Sequence, residues 1–138
     1  MPISLIKLIV NNSNLIFWIM LPKTHIFAYQ EFLSALELLK KETTGSQSDP
    51  TSLSSHFQQV QNIFQEKIIT LTNDDLEQEI TPNLQAINTE LHRELRLLST
   101  SIMFLRSSRS SATSQVRLTA IIERLNTLIA SCQLLMDH

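Results

Sequence analysis

A chain of 138 residues with 43% hydrophobic residues can bury a core without disulfides or metal. Its single glycine, Gly45, excludes a glycine-rich phosphate loop and argues against a turn-rich sheet fold. A net charge of −2 argues against bulk nucleic-acid binding.

Residues 1–20 are apolar but interrupted by Asn11, Asn12, Ser13 and Asn14. Neither half reaches the ~20 apolar residues of a membrane span. Neither the basic start nor the small-residue cleavage site of a signal peptide is clear. Residues 1–19 read as an extension outside the domain, or as lying upstream of a later start at Met20. The alternatives are a weak amphipathic membrane or partner segment, and an integral element of the fold. Residues 20–138 are then the helical domain.

The first helix is expected from Lys23 to Lys41, with Ile26, Tyr29, Leu33, Leu36 and Leu39 inward and Phe27 and Phe32 widening that face. Residues 42–48 read as a loop. Asp49-Pro50 restarts the chain as N-cap and first helical residue. The second helix continues to about Leu71, with Leu53, Phe57, Val60, Phe64, Ile68 and Leu71 inward. An acidic segment (Asp74, Asp75, Glu77, Glu79) reads as a short helical turn. Thr81-Pro82 starts the third helix, which runs to Arg106.

That helix carries Leu84, Leu91, Leu98 and Leu105 at seven-residue spacing. A second stripe follows at Leu118, Ile121, Leu125, Leu128, Cys132 and Leu135, on a fourth helix from about Thr113 to Met136. The polar stretch Ser107–Ala112 turns the chain back between them, and Ser110, Ser111 or Thr113 caps the fourth helix. The partner positions to the leucines are Ile87, Glu94 and Ser101, while Leu95 and Ile102 take over one place later. This drift belongs to a globular bundle, not to a long parallel zipper. The fold expected is therefore all-α: a small antiparallel bundle of about four helices, with helices three and four forming a long hairpin.

The chemistry of catalysis is sparse. His25, His56, His92 and His138 stand on separate segments without metal-ligand spacing. Cys132, the one cysteine, falls on the inner heptad and has no positioned base. A lone cysteine forms no intrachain disulfide, which suits a reducing cytoplasm. The serines near the third turn read as caps and turn formers. No enzyme activity, cofactor or metal is expected.

Charge is unevenly placed. All six arginines (Arg93, Arg96, Arg106, Arg109, Arg117 and Arg124) lie within residues 93–124, opposed there only by Glu94 and Glu123. Such a cluster reads as a solvated helix surface, as a face for an acidic protein partner, or as a weak nucleic-acid surface. The arginines are the candidate partner-binding residues.

Three stretches carry a family resemblance. They are Tyr29-Gln30-Glu31-Phe32-Leu33, the run Phe57–Gln65, and Thr89-Glu90-Leu91-His92-Arg93-Glu94-Leu95-Arg96-Leu97-Leu98. The last is followed by Ile102-Met103-Phe104-Leu105-Arg106, Arg117-Leu118, Ile122–Leu125, Leu128-Ile129 and Cys132. In this order and spacing the chain resembles the cyanobacterial heterocyst frequency control protein family, PatD, over residues 20–136. The resemblance implies a small cytoplasmic helical regulator. Such a regulator tunes heterocyst number and contacts the tubulin-like division protein FtsZ, modulating its polymerisation. It carries over no functional residue. The alternative reading is a helical dimerisation or adaptor module with another protein partner. Monomer and homodimer both remain open. Membrane contact is expected only through residues 1–19, and no nucleic acid is expected.

Overall fold

The computed structural model describes residues 22–45, 49–71 and 81–136. The expectations for residues 1–19, for the acidic segment 74–79 and for the side chain of Leu135 lie outside the described residues. Four helices follow one another: α1 (Lys23–Thr44), α2 (Pro50–Ile63), α3 (Thr81–Arg106) and α4 (Ser111–Met136). A π-helical turn, Phe64–Ile68, extends α2.

Each helix packs on its two neighbours in the cyclic order α1, α2, α3, α4 and back to α1. Among the described residues, the diagonal helices do not meet along their backbones. Only residues 45–49 separate α1 from α2 and only residues 107–110 separate α3 from α4, so neighbours run antiparallel. The result is an all-α, up-down-up-down bundle. Its third and fourth helices have 26 residues each, about 39 Å long, and form the expected hairpin.

Why these segments are helices is legible in their spacing. Leu84, Leu91, Leu98 and Leu105 are all buried, as are Ile121, Leu125, Leu128 and Cys132 on the facing helix. Leu118, nearest the turn, is partly buried and packs against that core. Leu53, Phe57, Val60, Phe64 and Ile68 are buried on α2 and its extension, while Leu71 is only half-buried. Asp49 and Pro50 stand at the N-cap and first turn as expected, although the Asp49 carboxylate makes no capping bond. Ser110 caps α4, its Oγ accepting the Thr113 N–H at 3.1 Å.

Three features of the packing differ from expectation. Phe27 is 64% exposed, and Ile26 and Leu33 are only partly buried. The inner face of α1 is instead His25, Ala28, Tyr29, Phe32, Leu36, Leu39 and Thr43. At about 100° per residue, Phe27 sits two steps, or about 200°, from Tyr29, and so faces outward. Next, α1 runs three residues past Lys41, because Thr43 falls on the buried face. Its hydroxyl donates to the Leu39 carbonyl at 2.7 Å, which satisfies it inside the core. Glu42 then accepts the Ser52 hydroxyl at 3.1 Å and ties the end of α1 to the start of α2. Finally, the end of α2 widens: the Ile69 N–H bonds the Phe64 carbonyl at 2.9 Å, five residues back.

Tyr29 adds a link across the diagonal. Its hydroxyl donates to Asn88 Oδ1 on α3. The Phe32 and Phe64 rings pack nearby with centroids 5.5 Å apart, and Phe64 in turn meets the His92 ring at 5.9 Å. His92 itself is exposed.

Candidate interaction surface

The six arginines divide into two groups. Arg124 of α4 is half-buried and reaches Glu94 Oε2 on α3 at 3.5 Å. Glu94 is only 3% exposed. The sequence pattern marks it as a polar break in the leucine stripe; the seam between α3 and α4 covers it. Arg93 approaches the other Glu94 oxygen at 3.4 Å and Glu90 at 3.3 Å. Arg93, Glu94 and Arg124 thus form one charge network along the hairpin, with the buried carboxylate at its centre.

Arg117 closes the same seam nearer the turn. Its guanidinium lies 5.2 Å from the centroid of the Phe104 ring and donates to the Phe104 carbonyl. Ser107 and Ser108 also donate to that carbonyl, each at 3.0 Å. Carbonyls in the last turn of a helix lack partners within it, and these side chains supply them. The serines therefore act here as caps and turn formers. Arg117 and Arg124, seven residues apart on one face of α4, both point at α3.

Arg96, Arg106 and Arg109 form the second group. All three are exposed. No ion pair involving them occurs among the described residues. Arg96 lines an outer groove of about 460 Å³ with Gln61, Arg93, Leu97, Ser99 and Thr100. Arg109 lines another, of about 410 Å³, at the α3–α4 turn with Pro50, Leu105 and Leu118. Arg106 ends α3, where its charge favours the negative end of the helix. Exposed apolar side chains stand among them: Met103 at 62% and Phe104 at 52% on α3, Val116 at 70% on α4.

No known protein family matches this chain, and neither a curated protein nor a solved structure does. What the surface can do therefore follows from its chemistry alone. Among the described residues, no three His, Cys, Asp or Glu side chains converge as metal ligands. Cys132 is fully buried, and burial pushes its thiol from its ordinary 9.0 up to about 12. A thiol held protonated is a poor nucleophile. The arrangement is suited to recognising carboxylates with arginine forks.

Two buried ionisable residues were not legible in the sequence. His25 belongs to the inner face of α1, beside a groove of about 410 Å³ lined also by Ile68, Leu84, Gln85 and Asn88. Glu94 is the other. Glu94 lies at the margin of the apolar face of α3, whereas His25 stands within the inner face of α1, where residue type alone argues for solvent. Only the neighbouring helix decides whether such a margin is wet.

Proposed function

We propose that this protein is a non-enzymatic cytoplasmic regulator of the PatD type, acting by contact with FtsZ and changing its polymerisation. The observation that carries the contact is the second arginine group. Arg96, Arg106 and Arg109 leave three guanidinium groups without an internal acid among the described residues, in a chain of net charge −2. A protein surface that holds unpaired arginines beside exposed Met103 and Phe104 suits an acidic partner with apolar anchors. The resemblance of residues 20–136 supplies the partner's name and the link to heterocyst frequency. The helical-bundle architecture agrees with what that resemblance implies. Among the described residues no helix is long and apolar enough to cross a membrane, which is compatible with a filament-binding role in the cytoplasm.

Co-sedimentation with FtsZ from the same organism, in the presence of GTP, tests the reading. Saturable pelleting or a changed polymer mass supports it; no pelleting and unchanged assembly reject it.

A second reading is a dimerisation or adaptor module. The leucine stripe Leu84–Leu105 is already consumed inside the bundle, so pairing would use the outward Phe27 and Leu38, both 64% exposed on α1. Sedimentation velocity at micromolar concentration separates this from a monomeric regulator.

A further inference from the structure

We propose that the outer face along the α2–α3 groove, anchored by Arg96 and Arg106, is the docking surface for an acidic segment of the partner protein. The partner's identity rests on the regulatory reading above; the location and chemistry of the surface do not.

The two sides of α3 are fixed by contacts. Glu94 marks the side toward α4, through Arg124. His92 marks the side toward α2, through its ring contact with Phe64. Counting from His92 in steps of three and four gives Arg96, Ser99, Met103 and Arg106. Residues at this spacing share one helix face. Gln61 of α2 lines the same groove as Arg96 and Ser99, which sets that end of the strip against α2; Met103 and Arg106 continue it by helical spacing. Arg96 and Arg106 are ten residues apart, about 15 Å along the axis.

The body of the opposite wall brings no charge; the acid at its end is the N-cap Asp49, one residue before Pro50, which lines the turn-side groove with Leu105 and Arg109. From Pro50 to Ile63, α2 contains no Asp, Glu, Lys or Arg. The acids nearest in sequence on α3, Glu90 and Glu94, are engaged by Arg93 and Arg124. The strip therefore carries two arginines with no ion pair among the described residues, glutamine as a hydrogen-bonding wall, half-buried Leu97 within the groove and exposed Met103 beyond it. Arginine forks bind carboxylates bidentately, and a 15 Å separation spans about three turns of a helix or a short extended run. An acidic segment carrying one or two apolar side chains is complementary to all of these features. The turn-side Arg109 lies outside the strip, and Arg117 and Arg124 are committed to the hairpin.

The test compares FtsZ pelleting by the full-length protein with that of Arg96→Glu/Arg106→Gln. A control, Lys23→Glu/Lys41→Gln, makes the same charge change at exposed positions of α1. Circular dichroism verifies that each variant is folded. The proposal expects at least a tenfold weaker affinity for the groove variant, an unchanged control, and wild-type binding that weakens with salt. Equal binding by the groove variant, or an equal loss in the control, overturns the groove and leaves the regulatory reading standing. If the wild type does not pellet at all, the regulatory reading fails. A second probe then decides the groove: a (Glu-Glu-Leu)₄ peptide titrated into the ¹⁵N-labelled full-length protein. Saturable amide shifts along Gln58–Gln65 and His92–Arg106, abolished in the groove variant, uphold it. Shifts elsewhere, or none at millimolar peptide, overturn it.

Discussion

The Glu94 carboxylate of α3, almost wholly enclosed, meets the guanidinium of Arg124 on α4 at 3.5 Å across thirty residues of chain. Burying an ion is expensive, and a partner offsets that only when it remains in place. Arg93 adds a second contact to the same carboxylate from the solvent side. The pair therefore fixes the register of the hairpin more than it adds to stability. It also ties Arg124, still partly exposed, to the hairpin.

Substituting Arg124 with Ala should destabilise the fold by about 1–3 kcal/mol, because it strands a buried carboxylate. Arg93 and the partial exposure of Arg124 keep the loss below that of a fully buried pair. Replacing both residues, Glu94→Leu with Arg124→Leu, should recover most of it. Urea unfolding of the three proteins measures this. An Arg124→Ala midpoint equal to wild type would show that the pair contributes nothing.

The leucine stripes set the main part of the stability. Leu98→Ala or Leu125→Ala should each cost about 2–5 kcal/mol, since both side chains are fully enclosed. Phe27→Ala is the informative contrast. Its ring is mostly in water, so the change should stay within about 0.5 kcal/mol. A large loss at Phe27 would place α1 in a different rotation about its axis.

Alkaline stability should report two buried groups. Burial holds the Cys132 thiol up at about 12, from an ordinary 9.0. Burial, then the Cys132 thiol, raises the Tyr29 hydroxyl well above its ordinary 10.0, against the lowering effect of its Asn88 hydrogen bond. Both groups are neutral when protonated, and the folded state holds their protons more tightly than the unfolded chain. The stabilisation they confer is complete below about pH 9 and falls as pH rises through the ordinary values toward the raised ones. The slope is about 1.4 kcal/mol per pH unit for each group. Chemical denaturation at a series of pH values from 8 to about 11 follows it. Tyr29→Phe with Cys132→Ala should flatten this limb, and a limb left unchanged by the double variant would assign alkaline unfolding to other groups.

Thiol labelling gives an independent reading of the same core. With Cys132 fully enclosed, modification by an aromatic disulfide reagent at pH 8 should proceed at the rate of unfolding. Added urea should accelerate it before the global transition ends. Labelling within the mixing time in native buffer would place the thiol at the surface.

The hairpin turn depends on its cap. Ser110→Ala removes the acceptor of the Thr113 N–H and should cost about 1 kcal/mol. Ser110→Asn, which can accept the same bond, should restore most of the loss. Thermal melts of the two variants separate a capping role from a general effect at the turn.

By itself the sequence determined the helices and most of their inner faces. Seven-residue spacing from Leu84 to Leu105 and from Ile121 to Cys132 fixes which side of each helix is apolar. Asp49-Pro50 and Thr81-Pro82 fix where α2 and α3 begin, because proline permits a first turn and forbids an interior one. Periodicity describes one helix at a time, however. Phe27 has the apolar character of an inward residue yet lies far round α1 from Tyr29 and faces water, and Glu94 falls at a break in a leucine stripe yet is buried against α4. Only the tertiary structure decided the fate of such marginal positions, because a neighbouring helix either excludes water there or does not. The same packing divided the arginine cluster. Arg93, Arg117 and Arg124 find carboxylate, carbonyl or aromatic partners along the hairpin, and Arg96, Arg106 and Arg109 project from it.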